Sequence, residues 1–304
     1  MPELPEIDAY LCALRPRLLG RRLVALRLGS PFVLRSVRDL ADLPGRTFVG
    51  VRRLGKRVVL ELSGGTFLVV HLMLAGRLQW QKPGAAVAGK GRLLAIDLDD
   101  GSLVLTEAGK ERRASLHVVD GEPALAELDA GGLELLELQG EAGAAAFAER
   151  LRAAPGRTLK RALSEPWRVA GVGGAFADEI CWEAEISPFA RAQTLDDARL
   201  AALLAVCQRV LRTWRDRLCA EAEQRWPAKV TAFRPEMAVH GKHREPCPRC
   251  GAAIQRVVAR GRETNYCPPC QTGGRVLADR MLSQLLKDDW RGDPLRPPSP
   301  ESEA

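Results

Sequence analysis

RVVLELSGGTFLVVHL, residues 57–72, decides how the first part of this chain folds. Two β-rich runs, 57–62 and 66–72, flank Ser63-Gly64-Gly65, and a short glycine-containing connection between such runs predicts a β-hairpin. A second pair, 92–98 and 102–106, flanks Asp99-Asp100-Gly101 in the same manner. With strands over 22–28 and 47–53, these predict a mostly antiparallel two-layer β-sandwich occupying residues 1–120. Ahead of them, Ile7, Leu11, Leu14 and Leu18 repeat at helical spacing, so a helix over 3–19 opens the chain. PGAAVAGKG, 83–91, is a flexible loop.

Working outward, 121–143 is rich in Gly, Ala, Glu and Leu and reads as a connection. Residues 144–236 predict a helical domain with helices near 144–153, 158–163, 175–184 and 195–220. A small module follows over 237–290, and residues 291–304 form a polar, proline-rich tail expected to be disordered. There is no internal repeat. The fold class is therefore α+β and multidomain.

The 304 residues are 46% apolar with a mean hydropathy of −0.13, which excludes a disordered chain and suits several hydrophobic cores. No run of about 18 apolar residues predicts a membrane helix. No basic segment followed by an apolar one predicts a signal peptide, so a cytoplasmic protein is expected. The net charge is +7, and between His240 and Lys287 nine Lys and Arg face three acids. That distribution suits a nucleic-acid partner without demonstrating one.

Four of the eight cysteines, Cys12, Cys181, Cys207 and Cys219, lie in apolar helical patterns and read as buried thiols. The other four, Cys247, Cys250, Cys267 and Cys270, give C-x2-C-x16-C-x2-C. Each pair on a tight turn can direct two thiolates at one ion about 2.3 Å away, and two pairs complete a tetrahedron. The intervening AAIQRVVARGRETNY predicts a hairpin, so the module is a zinc ribbon rather than two redox pairs. With all four positions filled by cysteine, its single Zn2+ is structural. Arg256, Arg260 and Arg262 lie on that hairpin, which reads as a groove-binding finger or as a solvated basic face.

VAGVGGAFADE, 169–179, lacks the spacing of a dinucleotide fingerprint. It reads either as a phosphate-binding turn at a helix N-terminus or as a helix-packing turn. MPELPEIDAY, 1–10, likewise has two readings. Pro and Glu start helices well. Removal of Met1 would also expose a secondary α-amine on Pro2. About a tenth of an α-amine is neutral at pH 7 against about 0.04% of a lysine, and only the neutral amine is a nucleophile. Attack on a sugar C1′ would give an iminium ion, with Glu3 exchanging protons beside it.

Together these motifs resemble the bacterial formamidopyrimidine-DNA glycosylase/endonuclease VIII family, through PELPE, LGKRVVLEL, HLMLAGRL, VAGVGGAFADE, ISP and CPRCG…YCPPCQ. The resemblance implies an N-terminal β-sandwich, a helix–two-turn–helix domain and a zinc finger, with damaged double-stranded DNA in the cleft between the halves. It implies that Pro2 is the Schiff-base nucleophile, Glu3 the general acid/base, Glu6 a supporting group and Lys56 a ligand of the phosphate flanking the lesion. Arg262 and Arg260 on the finger, and His71, would contact DNA. His71 also reads as a satisfied β-core histidine. Leu74 takes the place of the wedge methionine that fills the space of an extruded nucleotide.

The chain departs from that pattern in three places. Gly174 stands where the family has a phosphate-binding asparagine, leaving only its N–H for a phosphate. Arg112 and Arg113 are present, yet no phenylalanine accompanies them as a second wedge. Between 212 and 236 the glycine-threonine loop that covers oxidised guanine is absent, so the resemblance assigns no particular lesion. The expected protein is a monomeric bifunctional DNA glycosylase/AP lyase of base-excision repair. The competing expectation is a catalytically weakened DNA-damage-binding protein on the same scaffold.

Overall fold

The computed structural model describes residues 1–89, 91–108, 112–228, 230–231, 233–259 and 261–277. Arg260, the end of the terminal module and the tail fall outside them. Helix α1 (Leu4–Leu18) precedes eight strands: β1 (Ala25–Leu28), β2 (Phe48–Leu54), β3 (Arg57–Leu62), β4 (Thr66–His71), β5 (Gly76–Gln81), β6 (Arg92–Asp97), β7 (Ser102–Glu107) and β8 (Ser115–Asp120). They form two four-stranded antiparallel sheets, ordered β1-β6-β7-β5 and β2-β3-β4-β8. The hairpin read from residues 57–72 is β3–β4, in register from Arg57↔His71 to Leu62↔Thr66. Strands β5 and β8 were not expected. Each is a six-residue segment whose pairing partner is remote or reached through a loop, so neither carries a local hairpin signal.

The helical part comprises α2 (Gly121–Ala126), α3 (Gly140–Arg152), α4 (Leu159–Ser164), α5 (Gly174–Glu183) and α6 (Asp197–Gln224). The Asp196 carboxylate caps α6 by accepting the Arg199 N–H at 2.7 Å. At 28 residues, α6 is about 42 Å long. A two-stranded hairpin, β9 (Gln255–Ala259) and β10 (Arg262–Tyr266), and the short α7 (Pro268–Thr272) form the terminal ribbon. The fold is thus an α+β assembly of a β-sandwich with an N-terminal helix, a helical domain and a cysteine-bearing ribbon. Among the described residues no helix is long and apolar enough to cross a membrane.

Helix α1 joins the first two parts because its faces differ in chemistry. Ile7, Tyr10, Leu14 and Leu18 enter the sandwich core with Phe48, Leu60 and Leu105. Leu4 instead enters the helical core with Phe147, Leu163 and Phe176. A third face, Ala9 and Ala13, lies against Leu218 and Ala222 of α6. These small side chains let the two helices approach closely.

That approach corrects the reading of four buried thiols. Cys181 and Cys207 are buried and free, but Cys12 of α1 and Cys219 of α6 are half-buried and disulfide-bonded, with Cα atoms 5.6 Å apart. The separation is within the usual span of a disulfide. Closing a loop across 207 residues is worth about 2–5 kcal/mol, chiefly by restricting the unfolded chain. A Cys12→Ser/Cys219→Ser variant is expected to unfold roughly 5–10 °C lower by calorimetry. An unchanged Tm would show that the bond does not form.

Candidate active site and nucleic-acid interface

The chain terminus lies where α1 meets α5. Pro2 and Glu3 are buried, and Met1 remains 38% exposed. Leu4 N–H donates to the Gly171 carbonyl at 2.8 Å, fixing the terminus against the glycine-rich turn. Gly171 has φ +75°, and a Cβ there would lie 2.8 Å from Leu4 Cβ, so the turn requires glycine twice over.

Glu3 is the centre of this arrangement. Its Oε2 accepts from Gly173 N–H at 2.6 Å and Phe176 N–H at 3.2 Å, and its Oε1 from Ala175 N–H at 3.0 Å. A carboxylate at the start of a helix meets the free N–H groups and the positive end of the dipole. The glycine-rich turn therefore does something neither sequence reading proposed: its donors orient Glu3. Gly173 lets the site close up, since a Cβ there would fall 2.4 Å from Glu3 Oε1 and 2.7 Å from Lys56 Nζ.

Glu6, one turn along α1, accepts the Glu3 N–H on Oε2 at 2.8 Å. Its Oε1 is buried without a partner. Burial, reinforced by the neighbouring Glu3 charge, holds its carboxyl up at about 7. Glu6 lines a cavity of about 510 Å³ with Trp226, Thr231, Phe233 and Arg234. Burial lowers the Lys56 ammonium and the terminal amine of Met1. Glu3 opposes both shifts, whereas Arg77 and Lys56 reinforce that of the terminus. Arg77 is a site residue that sequence reading missed. It donates to the Leu74 and Gly76 carbonyls at 3.3 and 2.6 Å, bracing the loop after β4.

In that loop Leu74 is 64% exposed, an unsupported apolar side chain beside the terminus. Met73 before it adopts φ +52°, a left-handed conformation that disfavours side chains. Arg112 and Arg113 are exposed, and Ala114 is buried with its N–H given to Glu107. Among the described residues no phenylalanine accompanies them as a second wedge. Gly174 is the exposed first residue of α5, and its N–H is not taken by Glu3. A Cβ at 174 would meet only Lys160 Cε at 3.8 Å and Nζ at 4.0 Å, so packing does not explain why the asparagine is missing.

The middle of α5 holds the ribbon. Asp178 is fully buried, with Lys160 Nζ 2.8 Å from Oδ1 and His240 Nδ1 2.9 Å from Oδ2. Asn265 N–H of β10 also donates to Oδ2 at 3.3 Å. Lys160 donates in addition to the Glu263 carbonyl. Its neighbour Glu179 accepts the N–H groups of Ala238, Val239 and His240 at 2.8–2.9 Å. Successive helix residues point in different directions, so this acidic pair binds both β10 and the linker leading to the ribbon. Arg262 projects from the same strand, exposed and without a partner among the described residues.

At the ribbon's base, the Sγ atoms of Cys247, Cys250, Cys267 and Cys270 all lie within 4.8 Å of one another. Thiolates 2.3 Å from one metal would be about 3.8 Å apart. The pairs Cys250–Cys267 at 3.3 Å and Cys247–Cys270 at 4.0 Å bracket that value. An all-sulfur, closed donor set fits a structural metal and offers no position to a substrate. Trp182 Nε1–H donates to Cys247 Sγ at 3.4 Å, fastening the cluster to α5.

Comparison with known proteins agrees with this geometry. The model of the formamidopyrimidine-DNA glycosylase N-terminal domain matches residues 1–112, and that of the zinc finger found in FPG and IleRS matches 244–273. The formamidopyrimidine-DNA glycosylase of Chloroflexus aggregans is 33% identical over 286 residues, covering 89% of this chain and 98% of its own. That of Thermus thermophilus is 31% identical over 283 residues, covering 90% and 100%. The Lactococcus lactis enzyme bound non-covalently to DNA containing an AP site superposes with a TM-score of 0.76. It is 25% identical, over 89% of this chain and 99% of that one.

Proposed function

This chain belongs to the formamidopyrimidine-DNA glycosylase family, and on that premise we propose that it excises damaged bases from double-stranded DNA and nicks the resulting abasic strand. The observation that carries the reading is the buried terminus beside a carboxylate whose two oxygens are fixed by three backbone donors. With Met1 removed, the Pro2 amine attacks C1′ of an extruded nucleotide. An N–C1′ bond forms, the glycosidic bond breaks, and the base leaves with a proton. The C1′–O4′ bond then breaks as the ring oxygen takes a proton from Glu3, leaving an open-chain iminium cation that draws electrons from C2′. Loss of a C2′ proton expels the 3′ phosphate, and water releases the sugar and regenerates the amine.

Glu3 exchanges the protons, and its bonds to α5 keep it in one orientation throughout. Extrusion is required because C1′ is inaccessible in the stack. Leu74 is exposed where a wedge is needed, and the cavity beside Glu6 would receive the base. Lys56, His71, the Gly174 N–H, Arg112, Arg113, Arg260 and Arg262 would bind phosphates, which needs charge and donors rather than base edges. One Zn2+ on the four cysteines would be structural, bracing the hairpin that carries Arg262. Domain limits at 120, 143, 236 and 290, a monomeric state and a cytoplasmic location complete the reading.

The test uses the purified full chain and a duplex with one abasic site, treated with borohydride. The expected result is a covalent protein–DNA adduct attached at residue 2, on protein whose N-terminal mass lacks Met1. An adduct at a lysine, or none, overturns the mechanism. Tight binding of the abasic duplex with neither adduct nor nick would favour the weakened binding protein.

A further inference from the structure

Outside the groups this chemistry uses, unbalanced positive charge gathers at one end of the β2-β3-β4-β8 sheet. Register pairs Arg57 of β3 with His71 of β4, and His71 with Ser115 of β8. Residues two apart on a strand share a face, so His117, paired with Val69, stands one row in on that same face. Arg57 Nη1 donates to the Leu128 carbonyl at 2.8 Å, but its Nε is buried with no partner. His117 Nδ1 is also buried with no partner.

The surroundings supply cations and little else. Burial, then Arg57, Lys56 and His117, depress His71 to about 4. Burial, Arg57 and Arg35 depress His117. Among the described residues the acid acting on Arg57 is Asp129, beyond α2. Buried donors are normally satisfied, and buried cations are normally paired. A sheet face that carries a guanidinium and two imidazoles, with two buried nitrogens unpartnered, is complementary to an anion. Lys56 adjoins Arg57 in the turn before β3 and acts on His71, so this face begins one residue from the site beside Glu3.

We infer that Arg57 and His117 build an anion subsite beside His71, taking a phosphodiester of the DNA strand next to the phosphate reached by Lys56. The inference rests on the family-based reading of DNA as the partner. Arg57 Nε–H and an imidazole N–H donate to the non-bridging oxygens. The bound anion favours the protonated imidazole over the cations that otherwise discharge it.

Affinity for a duplex carrying a non-hydrolysable abasic analogue, followed by anisotropy over a salt series, tests the subsite. Arg57→Ala is expected to weaken binding 3–10-fold and flatten the log K against log salt slope by about one. Arg57 also holds the Leu128 carbonyl, so His117→Gln serves as a second variant free of that bond. It is expected to weaken binding more at pH 6 than at pH 8, because phosphate stabilises the protonated ring. An unchanged salt slope in a folded Arg57→Ala chain overturns the subsite. So does a pH-independent effect of His117→Gln. If the wild type does not bind the duplex at all, the family-based reading of the partner fails instead.

Discussion

Replacing Glu3 by glutamine is expected to lower the single-turnover nicking rate on abasic DNA by 10²–10⁴-fold, measured with protein in excess. The first cause is chemical: an amide cannot take up and return the proton that base loss and elimination require. The second is structural. The carboxylate accepts three N–H bonds on its two oxygens, two from the first turn of α5 and one from Gly173 just before it. An amide offers one oxygen, and its NH2 then faces at least one of those donors. A buried donor left unsatisfied costs about 1–3 kcal/mol, so Glu3→Gln also lowers Tm. Glu3→Ala removes the proton carrier and leaves all three donors without their acceptor, so its Tm is expected to fall at least as far as that of Glu3→Gln. If both variants nick within threefold of the wild type, Glu3 is not the acid/base.

How far the sequence reaches depends on whether a feature is local. The β3–β4 hairpin is legible because its turn and both strands lie within sixteen residues. The cysteine ligands are legible because each pair is itself a turn. The Cys12–Cys219 bond carries no such signature: its partners are 207 residues apart, and the packing of α1 on α6 at Ala9, Ala13, Leu218 and Ala222 brings them together. The glycine-rich turn is the instructive case. Its spacing signals exposed backbone donors at a helix start, which is correct. Three of them, however, take Glu3 from the start of the chain as their ligand, and the Gly174 N–H is not taken by it. Arg77 was missed because an arginine on a strand beside a glycine resembles any solvated side chain, and its contacts with the Leu74 and Gly76 carbonyls are tertiary. Arg57 and His117 were invisible for the same reason. Register, not sequence proximity, brings them to one sheet face.

Helix α5 gives these parts a common frame. Its first turn fixes Glu3, its acidic pair Asp178–Glu179 fixes β10 and the linker, and Trp182 near its end reaches Cys247. Glu3 and the hairpin that carries Arg262 are thereby referenced to one ten-residue segment. Loss of order at either end of α5 should therefore be felt at the other.

Removing the metal is the largest test of that coupling. The ribbon's own buried core consists of Val239, Cys247, Ile254 and Cys267, so two of its four members are metal-site cysteines. A five-residue hairpin such as β9–β10 is marginal alone in water. A structural zinc supplies about 10–16 kcal/mol of binding free energy that is also folding free energy. Without it the hairpin should detach, leaving Asp178 without Asn265 and Arg262 without a fixed position. Chelation, or Cys250→Ser, is expected to weaken binding of abasic duplex by roughly 10²-fold, the loss that follows if the finger supplies several phosphate contacts. Helix content should fall little, since α1 to α6 lie outside the ribbon. One zinc per chain by elemental analysis should track affinity through depletion and restoration. Metal-free protein that binds with undiminished affinity, or Cys250→Ser protein retaining a full zinc, would show that the four cysteines do not hold the finger.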